Sequence, residues 1–330
     1  MTKPPLRPHL LEIDCKSAAE EISAHLRSLL AKELHRQGLV VGVSGGVDSS
    51  VTLALCVKAI GKERVIALLM PEKHSAGETR ELSTKVANTY GVEFHYENIS
   101  SILESVNFYR RYTQAVQTVI PHFDDTWKSK IVIPNALTSG GINYFSIVAH
   151  GPDGKKVKER LPLKAYLEIV AATNYKQRIR KMLEYYYADR FNYAVAGTPN
   201  RLEYDQGFFV KLGDGAADVK PIAHLYKTQV YALAKYLGVP HEICTRAPTT
   251  DTYSLAQGQD EFYFALPYEQ MDMCLYGKNN GYSCEDVAAA LQMPQDVIRK
   301  VYKDIDRKRS TTRYLQLPPL LVGDVPEITH

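Results

Sequence analysis

The chain has 330 residues, 45% of them apolar and 23% charged, with a formal net charge of +3 at pH 7. That apolar content supports a sizeable core and excludes a disordered or fibrous chain. Lys and Arg are dispersed, which argues against a nucleic-acid surface, and no apolar run is long enough to span a bilayer. No secretory leader is expected. The five cysteines (Cys15, Cys56, Cys244, Cys274, Cys284) form no Cys-x-x-Cys pair, which implies free thiols in a reducing cytoplasm.

In chain order, residues 1–9 hold three prolines and read as a loose arm. Between Ser17 and Gln37, Ile22, Leu26, Leu29, Leu30 and Leu34 recur at helical spacing, and Gly38 closes that helix. Leu39 to Gly42 is a short β-branched run, the pattern of a buried parallel strand. Val51 to Ile60 continues as a helix, Val65 to Met70 as a second strand, Glu78 to Tyr90 as a helix, and Glu93 to Ile99 as a third strand. Alternation at these lengths predicts an α/β, doubly wound, Rossmann-like parallel sheet flanked by helices. Residues 107–163 depart from it, with Trp127, an Ile131-Val132-Ile133-Pro134 tract, and a β-hairpin turning at Pro152-Asp153-Gly154. We read this region as an insertion, serving as decoration or a dimer contact, within one unit spanning 1–330. The pattern resumes with a helix from Pro162 to Arg190, a strand from Tyr193 to Ala196 and a helix from Leu225 to Leu237. Residues 241–330 read as a mobile loop followed by short helices. His74, His95 and His224 stand isolated and predict no zinc site.

Two stretches carry chemistry. Gly42-Val-Ser44-Gly45-Gly46-Val-Asp48-Ser49 joins a strand end to a helix start. Adjacent glycines let backbone N–H groups approach a ligand, and a helix N-terminus favours an anion. Asp48 adds a hard oxygen suited to a divalent cation. The stretch reads as a pyrophosphate cradle with its own metal ligand; it lacks the Gly-Lys-Ser/Thr ending of the Walker loop and the spacing of a dinucleotide fingerprint. The second stretch, Gly207 to Asp218, gathers Lys211, Asp214 and Asp218 on a glycine-rich loop after a strand end, where a rigid sheet positions chemistry.

Ser44-Gly-Gly-Val-Asp48-Ser49 resembles the signature of the PP-loop ATP pyrophosphatases. Further motifs narrow the resemblance to the ammonia-dependent NAD synthetases: Lys176-x-Arg178-x-Arg180, Gly197-Thr198 with Glu203, Lys211-Leu-Gly-Asp214-Gly-Ala-Ala-Asp218, Leu225-Tyr-Lys227-Thr-Gln229, Pro248-Thr249-Thr-Asp251 and Arg307-Lys308-Arg309. The resemblance implies ATP-dependent amidation of deamido-NAD by ammonia, giving NAD, AMP and pyrophosphate, with Mg²⁺. It implies ATP contacts from Gly42, Val43, Ser44, Gly45, Gly46, Val47, Asp48, Ser49, Thr198, Lys227 and Thr249. It implies acceptor contacts from Arg178, Lys211, Asp214, Asp218, Arg307 and Lys308, and Mg²⁺ ligands Asp48 and Glu203. Asp48, Lys211, Asp218 and Lys227 carry the catalytic roles, with Asp218 helping to hold or deprotonate ammonium. It further implies a homodimer, and a chain of this length has no room for a glutaminase domain, so ammonia arrives free or from a separate glutaminase. The chain departs from the family's pattern where Gly-Thr-Pro199-Asn200-Arg201-Leu202-Glu203 replaces Gly-Thr-Gly-Asn-Lys-Ser-Glu or Gly-Thr-Asp-His-x-x-Glu, where Arg307-Lys308 replaces His-Lys, and in a middle insert longer than the family's. An offshoot that amidates another carboxylic acid, and a non-catalytic adenine-nucleotide binder, are the rival readings. GMP synthetases share the first motif, but their later motifs are missing, and the cysteine pair that tRNA thiolases need is missing too.

Overall fold

The computed structural model describes residues 4–75, 77–132, 145–246, 252–255, 257–258, 263–264, 266–323 and 325–327. A parallel sheet forms its centre, in the order β3-β2-β1-β7: β1 (Leu39–Gly42), β2 (Val65–Leu69), β3 (Glu93–Tyr96) and β7 (Ala194–Ala196). Successive strand side chains point to opposite faces, and both faces are covered. Leu39 and Val41 enter one core with Val65, Ala67 and Leu69. Val40 enters the other with Ile66, Leu68 and Val195. This double burial is why β1, β2 and β7 read as unbroken apolar runs, whereas the edge strand β3, Glu-Phe-His-Tyr, stays largely exposed.

Helices α1 (Cys15–Ser28), α2 (Val47–Ile60) and α8 (Lys227–Leu237) supply the first core, and α3 (Gly77–Thr89) adds Val86 and Ala87. On the other face lie α4 (Ser100–Ser105), α5 (Phe108–Gln117) and the 29-residue α6 (Leu163–Phe191). α2 is buried along nearly its whole length, including Val51, Leu53 and Leu55. Each such side chain contributes about 1.5–3 kcal/mol on burial.

The expected helix over 17–37 begins earlier and ends differently. Asp14 caps it by accepting from the N–H groups of Lys16 and Ser17, and after Ser28 it widens into a π-helical segment, Leu29–Leu34, that stops at left-handed His35. The N-terminal arm is not loose over residues 4–11: Leu6 and Leu11 are buried in a third core, and Pro4 C=O accepts from the Tyr282 hydroxyl at 3.0 Å. That third core is built by α10 (Tyr268–Asn279), α11 (Cys284–Leu291) and α12 (Gln295–Gln316), beyond α7 (Arg201–Gln206) and α9 (His241–Thr245). The last helix has 22 residues, so the expectation of short helices fails there.

The middle region forms a separate antiparallel sheet, β4 (Lys128–Val132), β5 (Ser146–His150) and β6 (Lys156–Arg160). The hairpin turn is as expected: Gly154 is left-handed and Asp153 accepts from the Lys155 N–H at 3.0 Å. β4 is an addition to the expected hairpin. Of the loop expected to be mobile, Tyr253 is buried in the second core.

Candidate active site

β1 has β2 on one side and β7 on the other, so the strand order reverses beside it. Ligands of open α/β sheets bind beyond the carboxyl ends of strands at such a point. There the structure opens a cavity of about 1230 Å³.

The cradle forms its floor. Val43 N–H donates to Leu68 C=O at 2.9 Å, extending the β1–β2 pairing into the turn. Gly45 then turns at φ +77°, where a Cβ would also lie 2.9 Å from the Leu82 Cβ, so both conformation and space require glycine. Ser49 Oγ donates to Gly46 C=O at 3.0 Å and meets Ser44 Oγ at 3.2 Å, and the Ser44 N–H donates to Ser49 Oγ at 3.3 Å. Ser50 Oγ also donates to Gly46 C=O, at 2.8 Å. These serines tie the loop to itself. Gly46 offers the α2 N-terminus no side-chain cap, so the first-turn amides remain available to an anion.

Asp48 stands on the first turn of α2. Its carboxylate accepts from Lys227 Nζ and, at 3.1 Å, from Asn200 Nδ2. Asn200 in turn caps α7 with Glu203: Asn200 Oδ1 accepts from the Glu203 N–H at 3.2 Å, and Glu203 Oε2 accepts from the Asn200 N–H at 3.1 Å. The capping box thereby holds Asn200 against Asp48 while Glu203 lines the cavity. The Lys227 side chain is 2% exposed. Burial pulls its pKa down, but the Asp48 and Glu203 carboxylates outweigh it, and the ammonium titrates above its usual range. Lys227 is positioned from behind by Asp272 of α10, which accepts the Lys227 N–H at 3.2 Å and the Thr228 N–H at 2.7 Å. Burial raises the Asp272 pKa to about 6 against those two bonds.

Thr198, Arg178, Lys211, Asp214, Arg307 and Lys308 line the same cavity. Several are already engaged. Lys211 Nζ donates to the Tyr314 and Leu317 carbonyls at the end of α12, at 2.7 and 3.2 Å, and Arg178 Nε donates to Lys211 C=O at 3.3 Å. Asp214 accepts the Val210 N–H at 2.7 Å, and burial raises its pKa. Arg307 and Lys308 both pair with Asp304, at 2.7 and 2.6 Å; Lys308 also lies over the Tyr263 ring, and burial lowers its pKa. Asp218 stands apart from the lining. It accepts the Val195 N–H at 2.7 Å and the Tyr185 hydroxyl at 3.2 Å, an arrangement that ties α6 to β7. Thr249 and Asp251 lie outside the described residues.

Sequence reasoning passed over Asp272 and Glu72, and gave no individual role to Asn200 or to Lys176, which lines the cavity and pairs with the buried Glu72 at 2.6 Å. Asn200-x-x-Glu203 is a capping-box pattern and was available as a signal; the Asp272 and Glu72 partners are 45 and 104 residues away and were not. Among the described residues no three His, Cys, Asp or Glu side chains gather as a metal cluster. All five thiols are free, and burial pushes those of Cys56 and Cys274 up to about 12. The Tyr185-Tyr186-Tyr187 run divides: Tyr187 is core, while Tyr186 is exposed.

Comparison with known proteins agrees with this geometry. The NAD synthase family model matches residues 18–122 and 152–314. An NH(3)-dependent NAD(+) synthetase of Mesorhizobium japonicum is 54% identical over 318 residues, 96% of this chain and 100% of the relative. One from Thermotoga neapolitana is 38% identical over 77% of this chain and 83% of its own length. Among solved structures, an NMN synthetase from Francisella tularensis (TM-score 0.65, 22% identity, 95% of this chain, 100% of that one) shares the fold. So does an NH3-dependent NAD synthetase from Campylobacter jejuni (TM-score 0.61, 22% identity, 94% of this chain, 100% of that one). With its cradle, its Asp48–Lys227 pair and these matches, the chain belongs to the NAD synthase family.

Proposed function

We propose that the chain amidates the nicotinic acid carboxylate of deamido-NAD with ammonia, using ATP and releasing AMP and pyrophosphate. The observation that carries this is one cavity holding an uncapped cradle at α2, with Asp48, Glu203 and Lys227 converging beside it. The substrate carboxylate attacks the α-phosphorus, pyrophosphate leaves, and ammonia then displaces AMP from the acyl adenylate. No protein nucleophile is required, so the chain's contribution is positioning and charge stabilisation.

In this reading the cradle from Gly42 to Ser49 receives the departing pyrophosphate. Thr198 and Thr249 contact ATP. Lys227, permanently charged in its buried setting, offsets phosphate charge that grows as the bond breaks. Arg178, Lys211, Asp214, Arg307 and Lys308 face the acceptor, and Asp218 orders the α6–β7 corner where ammonium would be held. Asp48 and Glu203 fit Mg²⁺: two hard carboxylates share Lys227's field at the edge of the cradle, a donor set to which Mg²⁺ adds waters and phosphate oxygens. When bound there, the ion would neutralise phosphate charge. A homodimer fits the apolar side chains that α6 leaves exposed, Leu167, Met182 and Tyr186. Ammonia is free or delivered by a separate glutaminase, and a cytoplasmic location suits this chemistry.

The test is product analysis after incubation with ATP, Mg²⁺, ammonium and deamido-NAD. NAD and AMP in equal amounts support the reading. AMP released only with another carboxylic acid would move the chain to a sister amidation.

A further inference from the structure

β4 is the outer strand of its sheet and pairs only with β5 among the described residues. In an antiparallel ladder, alternate residues of an edge strand turn their N–H and C=O groups away from the partner. Buried, such groups need another partner. Ser129 and Ile131 stand two apart on β4, and both are fully buried.

Three of their outward groups are taken by the segment that follows α9. Ser129 N–H donates to Ser254 Oγ at 2.8 Å, and Leu255 N–H donates to Ser129 C=O at 3.2 Å. Gln257 Nε2 donates to Ile131 C=O. β4 is itself held to α5, where the Tyr112 hydroxyl and Ser129 Oγ share a hydrogen bond of 2.8 Å. On the other side, Lys176 donates to Thr252 C=O at 3.1 Å while paired with Glu72, on the loop directly after β2. Thr252, Tyr253 and Ser254 line the cavity, whereas Gln257 and Tyr112 do not. β4 lies between residues 123 and 151, the stretch that the family model leaves unmatched.

We propose that the insert is an anchoring rail: β4 fixes Thr252, Tyr253 and Ser254 as a wall of the cavity, and Gln257 and Tyr112 are positioning residues for ATP. ATP is the substrate concerned because Lys176 and Glu72 join this wall to the loop after β2, the strand beside the cradle strand. The polar residue on the buried face of β4, Ser129, thereby acquires a reason: it serves the segment rather than the sheet.

The inference rests on the ATP-dependent reading, so its test separates the two. ATP affinity is measured by calorimetry and ATP KM by AMP release, for wild type, Gln257→Leu and Tyr112→Phe. Hydrogen exchange is followed in peptides covering Leu255 and, as a control, β1 and β2. Losing one buried hydrogen bond corresponds to roughly a two- to tenfold change. Gln257→Leu is expected to weaken ATP binding and raise its KM about three- to tenfold, with kcat within about twofold. Exchange should quicken at Leu255 and stay unchanged in β1 and β2. Tyr112→Phe should move the same quantities in the same direction by about twofold. Unchanged ATP affinity, a KM effect confined to the acceptor, or faster exchange throughout the sheet would each overturn the proposal. Wild-type protein that binds ATP but forms no amide would remove the amidation reading alone, leaving the calorimetric and exchange tests of the rail intact.

Discussion

Lys227→Met removes the ammonium and keeps most of the side chain's volume. Lys227 is fully buried, and its charge faces Asp48 and Glu203. Breaking a buried ion pair by deleting one partner costs about 3–5 kcal/mol, because the remaining charge is left without compensation. Asp48 keeps 18% of its side chain exposed, so water relieves part of that charge and the lower end, about 3 kcal/mol, applies. In a chain of this size that corresponds to a fall in Tm of roughly 4 °C. The identity of the lost interaction is tested by Asp48→Asn. In the Lys227→Met background it removes the orphaned carboxylate and should restore about 2 kcal/mol, a coupling seen only for residues in contact. The assay is thermal unfolding of the four proteins of this cycle without nucleotide. Catalysis is read separately. Loss of a preorganised cation at developing phosphate charge should lower kcat about 10²–10³-fold. Additive effects on Tm, together with kcat within threefold of wild type, would refute both the pairing and the charge argument.

Other predictions follow from the same geometry. The Asp272 pKa is raised to about 6, so its stabilising contribution is present below the unfolded carboxylate value and is lost as pH rises through 6. Wild type should therefore lose roughly 2–3 kcal/mol relative to Asp272→Asn between pH 4 and 7; parallel Tm profiles would contradict the assignment. Gly45→Ala forces a Cβ into left-handed backbone and onto Leu82, which should cost about 1–3 kcal/mol and raise the ATP KM. A variant of wild-type Tm and KM would show that the cradle does not need this turn. Alkylation of the native protein with iodoacetamide should leave AMP formation unchanged, because Cys56 and Cys274 are buried and protonated and the partly exposed Cys15, Cys244 and Cys284 do not line the cavity. Inactivation that substrates prevent would place a thiol in the reaction.

The cradle's local structure was legible because its parts are consecutive. Leu39 to Asp48 carries strand, turn and helix start in ten consecutive residues, each with a conformational reason to be what it is. The hairpin was legible for the same reason, from Pro152-Asp153-Gly154. β4 was hidden because Ser129 puts a hydroxyl on the buried face and breaks the apolar alternation. The π-helical segment at Leu29–Leu34 was hidden because apolar spacing of three and four residues does not separate one wide turn from a regular one. The loop from Gly207 to Asp218 was least legible. Lys211 reads as a free loop cation, yet it is bound to carbonyls more than 100 residues away at the end of α12. Asp218 reads as a companion of Asp214, but its carboxylate binds the β7 backbone and Tyr185. Long-range hydrogen bonds decided both, and local pattern carries no trace of them.

The central claim is that adenylylation and amidation of one carboxylate occur in the cavity above β1. Purified protein is supplied with ATP, Mg²⁺, ¹⁵N-ammonium and deamido-NAD, and the products are weighed by mass spectrometry. The account predicts NAD bearing one ¹⁵N in its amide, with AMP and pyrophosphate formed in equal amount, and loss of all three in Lys227→Met. ADP as the nucleotide product, or AMP formed without any labelled amide, would contradict it.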